Sequence, residues 1–283
     1  MTAPSRPVLI TGCSSGIGLA AAHGLARRGF RVFATARRGA DVERLAAEGL
    51  EALRLDLDDD ASVAAAVDTV LERTGGRLYG LFNNAAYGQP GAVEDLRRDV
   101  LRAQLETNLL GTHELTRRVI PVMRRQGEGR IVHNSSVLGL VAFAYRGAYV
   151  CSKFALEGLA DTLRLELHGT GVHVSLIEPG PILTRFRDNA HRAYLANIDA
   201  ANSVHRDRYR AMATRLTKEG ATQPFTLPPE AVVKPLVHAL ESRRPKARYY
   251  VTFPTYLFAL LRRALPAGVL DAALRAASGG GRR

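Results

Sequence analysis

Tyr149 and Lys153 stand four residues apart, with Ser136 upstream of both. On a helix, that spacing puts a phenol and an ammonium on one face, where their ends can converge. A phenol alone is a poor acid-base group at neutral pH, because its reference pKa is near ~10. A fixed ammonium nearby favours the phenolate and lowers that value. Tyr149 would then exchange a proton with an alcohol or carbonyl oxygen. Ser136 would offer the same oxygen a second hydrogen bond and stabilise the charge developing there. A Tyr-x-x-x-Lys pair by itself is usually a solvated helix face, so the chemistry depends on whether the chain also builds a seat for a cofactor.

Such a seat is readable near the start. The apolar run Val8 to Ile10 leads into Thr11-Gly12-Cys13-Ser14-Ser15-Gly16-Ile17-Gly18, and the alanine- and leucine-rich stretch Leu19 to Arg28 follows as a helix. Strand, glycine turn and helix in that order predict a phosphate-binding loop. Glycines let the backbone approach a pyrophosphate, and the helix start offers free amides and a positive dipole end. Gly12, Ser14, Ser15, Gly16, Ile17 and Gly18 are its predicted lining, spaced Gly-x-x-x-Gly-x-Gly. Arg31 to Thr35 reads as the second strand, followed directly by Arg37 and Arg38. An acidic residue there would hold the ribose hydroxyls of NAD, but the first acid is Asp41. The forked donors of Arg37 suit a 2′-phosphate instead, which predicts NADP(H) over NAD(H). After a third strand, Ala52 to Leu55, Asp56 and Leu57 fall where Asp56 would accept from the adenine amino group. Asp58 to Asp60 also suit the cap of the next helix, Ala61 to Arg73.

The remaining elements continue the alternation. Asp41 to Glu48 reads as a short helix with an aspartate cap. Leu78 to Phe82 is the fourth strand, and Asn83-Asn84-Ala85-Ala86 supplies small residues for close cofactor approach and amides to tie strands together. Val100 to Arg125 is a long helical stretch holding Asn108 in apolar surroundings, with Pro121 expected to bend or end it. Arg130 to Asn134 is the fifth strand and delivers Ser135 and Ser136. Tyr149 to His168 is the next helix. His173 to Glu178 is the sixth strand, running into Pro179-Gly180-Pro181-Ile182-Leu183-Thr184. Strands and helices in alternation predict an α/β fold: a single-domain, doubly wound parallel sheet of Rossmann type over residues 1–252. Ligands in such sheets sit beyond the strand C-terminal ends, where every motif named so far falls.

With these residues in place, the chain resembles the short-chain dehydrogenase/reductase family over roughly residues 6 to 252. Thr11-Gly12-x-x-x-Gly16-x-Gly18 matches that family's cofactor loop, and Asn83-Asn84-Ala85 matches its Asn-Asn-Ala-Gly motif, with Ala86 in place of the glycine. Asn108, Ser136, Tyr149 and Lys153 match its catalytic tetrad in order and spacing. The resemblance implies that Lys153 also holds the nicotinamide ribose and that Asn108 anchors a water linking Lys153 to solvent. It implies that Pro179 and Gly180, with Ile182 and Thr184 following, face the nicotinamide, and that Asn84 and Ala85 touch the cofactor. The wording Tyr-x-Cys-Ser-Lys-Phe-Ala-Leu-Glu-Gly is similar to the hydroxysteroid- and retinol-dehydrogenase-like branch, which implies a hydrophobic alcohol or carbonyl substrate. Two other readings stay open: reduction of 3-oxoacyl thioesters, and an NADP(H)-sensing regulator that does no chemistry. Family members often pair through the two long helices flanking the fifth strand, so a homodimer or homotetramer is expected.

Composition narrows the rest. The chain has 283 residues, 46% of them hydrophobic, and a formal charge of +12. That suffices for one large core. The basic residues are spread out, with no run of five and no aromatic interleaving, so no nucleic-acid partner is expected. Two cysteines give no disulfide framework. Cys13 reads as small and alkylation-sensitive, and Cys151 as packing. The histidines form no metal-ligand pattern, so no metal is assigned. No apolar run is long enough to span a bilayer and no signal pattern opens the chain, which predicts a cytoplasmic protein. Tyr145 reads as a pocket or surface residue. Arg185 to Leu216 reads as a mobile helical lid over the substrate, and Pro229 to Ser242 as another helix. From 253 the chain reads as a helical extension whose apolar face, Leu257, Leu260, Leu261, Ala264 and Leu265, either packs against the body or a partner subunit, or touches a membrane or gates the substrate. Its end, from Ser278, is expected to be disordered.

Overall fold

The computed structural model describes residues 5–218, 220–221 and 223–278. Among them, seven strands form one sheet: β1 (Pro7–Ile10), β2 (Arg31–Ala36), β3 (Glu51–Arg54), β4 (Gly80–Asn83), β5 (Gly129–Asn134), β6 (Val172–Glu178) and β7 (Arg248–Tyr250). Their order is β3-β2-β1-β4-β5-β6-β7, and each neighbouring pair is parallel. The doubly wound parallel fold expected from the sequence is therefore the one formed. Both faces are covered, which is why the strands are apolar rather than alternating. Leu9, Phe33, Leu81 and Ile131 pack on one side against α3 (Asp60–Arg73), α5 (Gly111–Gln126) and α6 (Gly147–Glu166). Val8, Ile10, Phe82 and Ile177 pack on the other against α1 (Gly16–Arg27) and α9 (Val233–Glu241). The chain winds outward from β1 to β3, then returns to β4 on the other side of β1. That reversal opens a crevice above the ends of β1 and β4.

Several elements differ in detail from their sequence expectations. α2 (Gly39–Ala47) starts before Asp41, and no side chain caps it; Asp41 lies in its first turn and pairs with Arg38 at 2.7 Å. Asp59 is the residue that caps α3, accepting from the amides of Ala61 and Ser62. The long stretch around Asn108 is α4 (Arg98–Leu105), a π turn at Glu106–Leu110, and α5. Pro121 neither ends nor interrupts α5, which runs on to a left-handed cap at Gly127. α5 begins just after the π turn, against the chain just past the end of β3. A Cβ at Gly111 would lie 2.0 Å from the Leu57 carbonyl oxygen, so the helix passes there with no side chain to spare.

The region expected as a lid contains α7 (Phe186–Asn197) and α8 (Arg206–Thr217). Its own small core of Ala190, Tyr194, Tyr209, Met212 and Leu216 sits on Ala92. Tyr209 is fully buried, and its hydroxyl accepts from the Ala92 amide at 2.9 Å and bonds Asp95. At the far end, α10 (Phe253–Ala264) and α11 (Ala267–Ala277) form the helical extension. They pack on the body: Phe258, Leu270 and Leu274 meet Val137 and Val141 in the loop after Ser136. The expected disordered end lies, beyond Ser278, outside the described residues. No helix among those described is long and apolar enough to cross a membrane.

Candidate active site

The glycine loop rises from the end of β1. Gly12 and Gly16 have φ of +72° and +57°, where a side chain would be strained. Gly18 is glycine for another reason, since a Cβ there would sit 2.2 Å from the Gly12 carbonyl oxygen. The loop is tied to β4. Thr11 Oγ1 accepts from the amides of Asn84 and Ala85, both at 2.9 Å, and Asn84 Nδ2 donates to Thr11 O at 2.9 Å. Asn134 Nδ2 donates to Asn84 Oδ1 at 3.0 Å, and Lys153 Nζ donates to Asn134 O at 2.8 Å. One polar chain thus runs from the glycine loop to the lysine. The expectation that asparagines tie the strands together holds. Cys13 is fully buried and its Sγ–H faces Ile10 O at 3.4 Å. Burial pushes its thiol up to about 12, so the expected sensitivity to alkylation is withdrawn. Cys151 is exposed, not packed.

The four residues proposed from spacing converge. Ser136 opens a single 3-10 turn, Val137–Gly139, and caps it by accepting from the Leu138 amide at 3.1 Å. Tyr149 and Lys153 occupy α6, with the ammonium 5.5 Å from the phenol ring centre. Asn108 Oδ1 accepts from the Tyr87 amide at 3.1 Å, while its Nδ2 donates to Tyr87 O at 2.9 Å and to Ser152 Oγ at 3.1 Å. Ser152 in turn donates to Tyr149 O at 2.8 Å. Asn108 therefore grips α6 between the tyrosine and the lysine through Ser152, a link that spacing did not reveal. The electrostatics also differ from expectation. Burial pushes the Tyr149 phenol up, and a hydrogen bond with Ser136 opposes it. Burial likewise pulls Lys153 down to about 8, with Glu157 opposing. Desolvation, not the neighbouring charge, dominates both groups.

A carboxyl pair lies below. Glu157 follows Lys153 by one turn of α6, and Glu178 ends β6 with no exposure to solvent. Burial first, then the Glu157 charge, push Glu178 up to about 9, against the pull of Arg248. Arg248 reaches Glu157 at 3.0 Å, Asp161 at 2.7 Å and Glu178 at 3.1 Å. The chain then turns at Pro179, whose carbonyl accepts from the Val137 amide at 2.8 Å. Gly180 leaves room for Thr252, whose Oγ1 would be 2.1 Å from a Cβ there. Ile182 pairs with Leu227 in an isolated bridge.

Thr184 comes back over the glycine loop: a Cβ on Gly16 would be 2.9 Å from its methyl. Beside it, a cleft of about 440 Å³ opens, lined by Ser15, Gly16, Thr184, Arg185, Arg187 and Lys218 among others. Asp56 and Leu57 lie past β3, where the Asp56 carboxylate accepts from the Asp58 amide at 3.2 Å. Arg37 is exposed and makes no hydrogen bond or ion pair among the described residues, whereas Arg38 is held by Asp41. The neighbouring Arg44 donates to Ser14 O in the glycine loop at 2.7 Å. Phe186 escaped the sequence reading, whereas Tyr145 was read as a pocket or surface residue. Phe186 packs edge-on against Tyr149, ring centres 5.2 Å apart, and a Cβ on Gly88 would strike its ring at 2.6 Å. Tyr145 has φ +62° and its hydroxyl meets His205 Nδ1 at 3.2 Å. Both depend on where the lid lands.

Comparison with known proteins bears on this site. A family model described as short chain dehydrogenase matches residues 6–194. The chain is 45% identical over 270 residues to the uncharacterized oxidoreductase YbbO of Escherichia coli (strain K12), covering 95% of this chain and 94% of that one. It is 38% identical to human 17-beta-hydroxysteroid dehydrogenase type 1, covering 87% of this chain and 77% of that one. Among solved structures, a short chain dehydrogenase/reductase from Burkholderia phymatum in complex with NAD superposes with a TM-score of 0.76 at 27% identity, covering 92% of each chain.

Proposed function

The chain belongs to the short-chain dehydrogenase family and is an NAD(P)-dependent oxidoreductase, and on that footing we propose that it interconverts a hydrophobic ketone or aldehyde and its alcohol with NADP(H). The observation that carries the reading is the convergence of Ser136, Tyr149 and Lys153 beside a glycine loop tied to them through Asn84 and Asn134. When bound, the nicotinamide supplies the hydride. The chain's own residues position the substrate and move the proton. Gly12, Ser14, Ser15, Gly16, Ile17 and Gly18 cradle the phosphates, with Thr184 above them. Asp56 and Leu57 border the adenine, Asn84 and Ala85 the ribose side, and Pro179, Gly180 and Ile182 the nicotinamide. Lys153 holds the nicotinamide ribose. Tyr149 gives its proton to the carbonyl oxygen, a role that suits a phenol kept protonated by burial. Ser136 steadies that oxygen, and Asn108 holds α6 in place.

The guanidinium of Arg37, exposed and without a partner among the described residues, supports a 2′-phosphate, hence NADP(H) over NAD(H). The branch to which the hydroxysteroid dehydrogenase belongs supports an apolar substrate. In this reading residues 1–252 are the catalytic body, 185–216 its lid, and 253–283 an extension that closes the substrate side. Exposed Phe253, Tyr256, Leu257 and Leu260 on α10 support peripheral contact with a membrane surface. Exposed Leu165 on α6 supports pairing into a homodimer or homotetramer, and the likeness to a bacterial oxidoreductase supports a cytoplasmic setting. The test is turnover of a panel of aldehydes, ketones and steroids with NADPH. Tyr149→Phe should lower kcat by roughly 10²–10⁴-fold while NADPH still binds. Unchanged turnover in that variant would remove Tyr149 from its role.

A further inference from the structure

Among the described residues, Arg146 and Arg215 are half-buried without the carboxylate partners that Arg248 and Arg31 have. Arg248 has three carboxylates around it, and Arg31 has Glu51 at 2.6 Å. Arg146, three positions before Tyr149, is half-buried and among the described residues meets only Tyr145 O at 3.5 Å and Met212 Sδ at 3.6 Å. Arg215, three positions past Met212 on α8, is half-buried too and has no hydrogen bond or ion pair among the described residues. The two guanidiniums repel each other, and Arg187 repels Arg215 in turn. Burial pulls Arg146 down to about 10, with Arg215 adding to the effect. Removing like charges from water without an anion between them is unfavourable.

Their neighbours lead toward Tyr149 on one side and toward the cleft beside the glycine loop on the other. The phenol packs on Phe186, and Arg187 follows Phe186 at the start of α7. Arg187 lies within electrostatic reach of Arg215, and Arg215 within reach of Arg146. Arg146 leads back into the helix that bears Tyr149. Arg187 also borders the cleft beside the glycine loop, together with Arg185, Lys218 and one carboxylate, Asp188.

We propose that Arg146 and Arg215 bind a carboxylate carried by the substrate, so that the preferred substrates are apolar aldehydes or ketones with an acid group away from the reacting carbon. This rests on the oxidoreductase reading above and narrows its substrate class. A forked guanidinium matches a carboxylate in two parallel bonds, and such bonds are strong where water is partly excluded.

The experiment measures kcat/KM with NADPH for two pairs: hexanal against adipic semialdehyde, and decanal against sebacic semialdehyde. The wild-type protein should favour the oxo acid of at least one pair by about ten-fold or more. Arg215→Met should bring that ratio toward one, Arg215→Lys should keep part of it, and the KM for NADPH should not move. Arg146→Gln is the second variant, with a thermal melt to establish folding. A wild-type ratio at or below one for both pairs overturns the proposal. So does a raised KM for NADPH in Arg215→Met with the ratio intact, which would assign the arginines to the cofactor's phosphates. Turnover of hexanal or decanal, lost in Tyr149→Phe, tests the underlying oxidoreductase reading independently of either outcome.

Discussion

Replacing Gly18 with alanine would put a methyl carbon 2.2 Å from the Gly12 carbonyl oxygen and 2.6 Å from Asn84 Nδ2. Carbon and oxygen rest no closer than about 3.3 Å, so one side must yield by roughly 1 Å. The glycine loop cannot yield cheaply. Its Thr11 side chain takes two amides at 2.9 Å, and Asn84 holds the Thr11 and Gly12 carbonyls. The start of α1 must move instead, and it carries the amides proposed to face the pyrophosphate. Overpacking of this kind costs about 1–3 kcal/mol, which in a chain of this size lowers the melting temperature by roughly 2 °C per kcal/mol. Displaced amides should weaken NADPH binding by about ten-fold or more, equivalent to ~1.4 kcal/mol. The control is Gly158→Ala, on an exposed part of α6 where a Cβ meets nothing within 4 Å. It should stabilise the protein by about 0.5–1 kcal/mol and leave NADPH binding alone. Titration calorimetry with NADPH and thermal melts of all three proteins decide the matter. A Gly18→Ala protein that melts and binds NADPH like the wild type would refute the steric argument and the placement of the phosphates.

Other outcomes follow from the same geometry. Arg37→Glu should reverse the preference between NADPH and NADH, each read as kcat/KM; an unaltered ratio would remove Arg37 from the 2′-phosphate. Glu178 is raised from its ordinary 4.5 to about 9 in the fold, so it takes up a proton on folding. Stability from this group is present below 4.5 and is lost as pH rises toward about 9. Glu178→Gln should flatten that decline in a series of melts, and an unchanged slope would place the proton elsewhere. Phe186→Ala removes the ring that covers Tyr149 and should lower kcat/KM by about ten-fold through a looser lid, with NADPH affinity retained; equal kinetics would show that the ring only fills space.

The sheet and its cofactor crevice were legible because they depend on local pattern. Short apolar strands, a glycine turn and amphipathic helices recur in an order that a doubly wound parallel sheet satisfies. Tyr149 and Lys153 were legible because helical spacing alone puts them on one face. Where the reading failed, the outcome depended on contacts that spacing does not show. Pro121 sits inside α5, whose flanking Val119, Val122 and Met123 are buried against the sheet. Asp41 is the exception, because its cause is local: it pairs with Arg38 and Arg44, three positions away on either side, instead of capping the helix. Cys13 lost its expected reactivity because both faces of the sheet are covered.

The amino-acid order by itself thus determined the type of fold, the position of the glycine loop and the identity of the residues that could move a proton. Those properties arise from periodicity and from backbone freedom at single residues, which act over a few positions. Only the tertiary structure decided how strongly burial opposes ionisation of Tyr149 and Lys153, which ring covers the phenol, and which arginines are left without carboxylates. Desolvation and contact between segments far apart in the chain depend on what folds over what, and spacing along one segment carries no record of that.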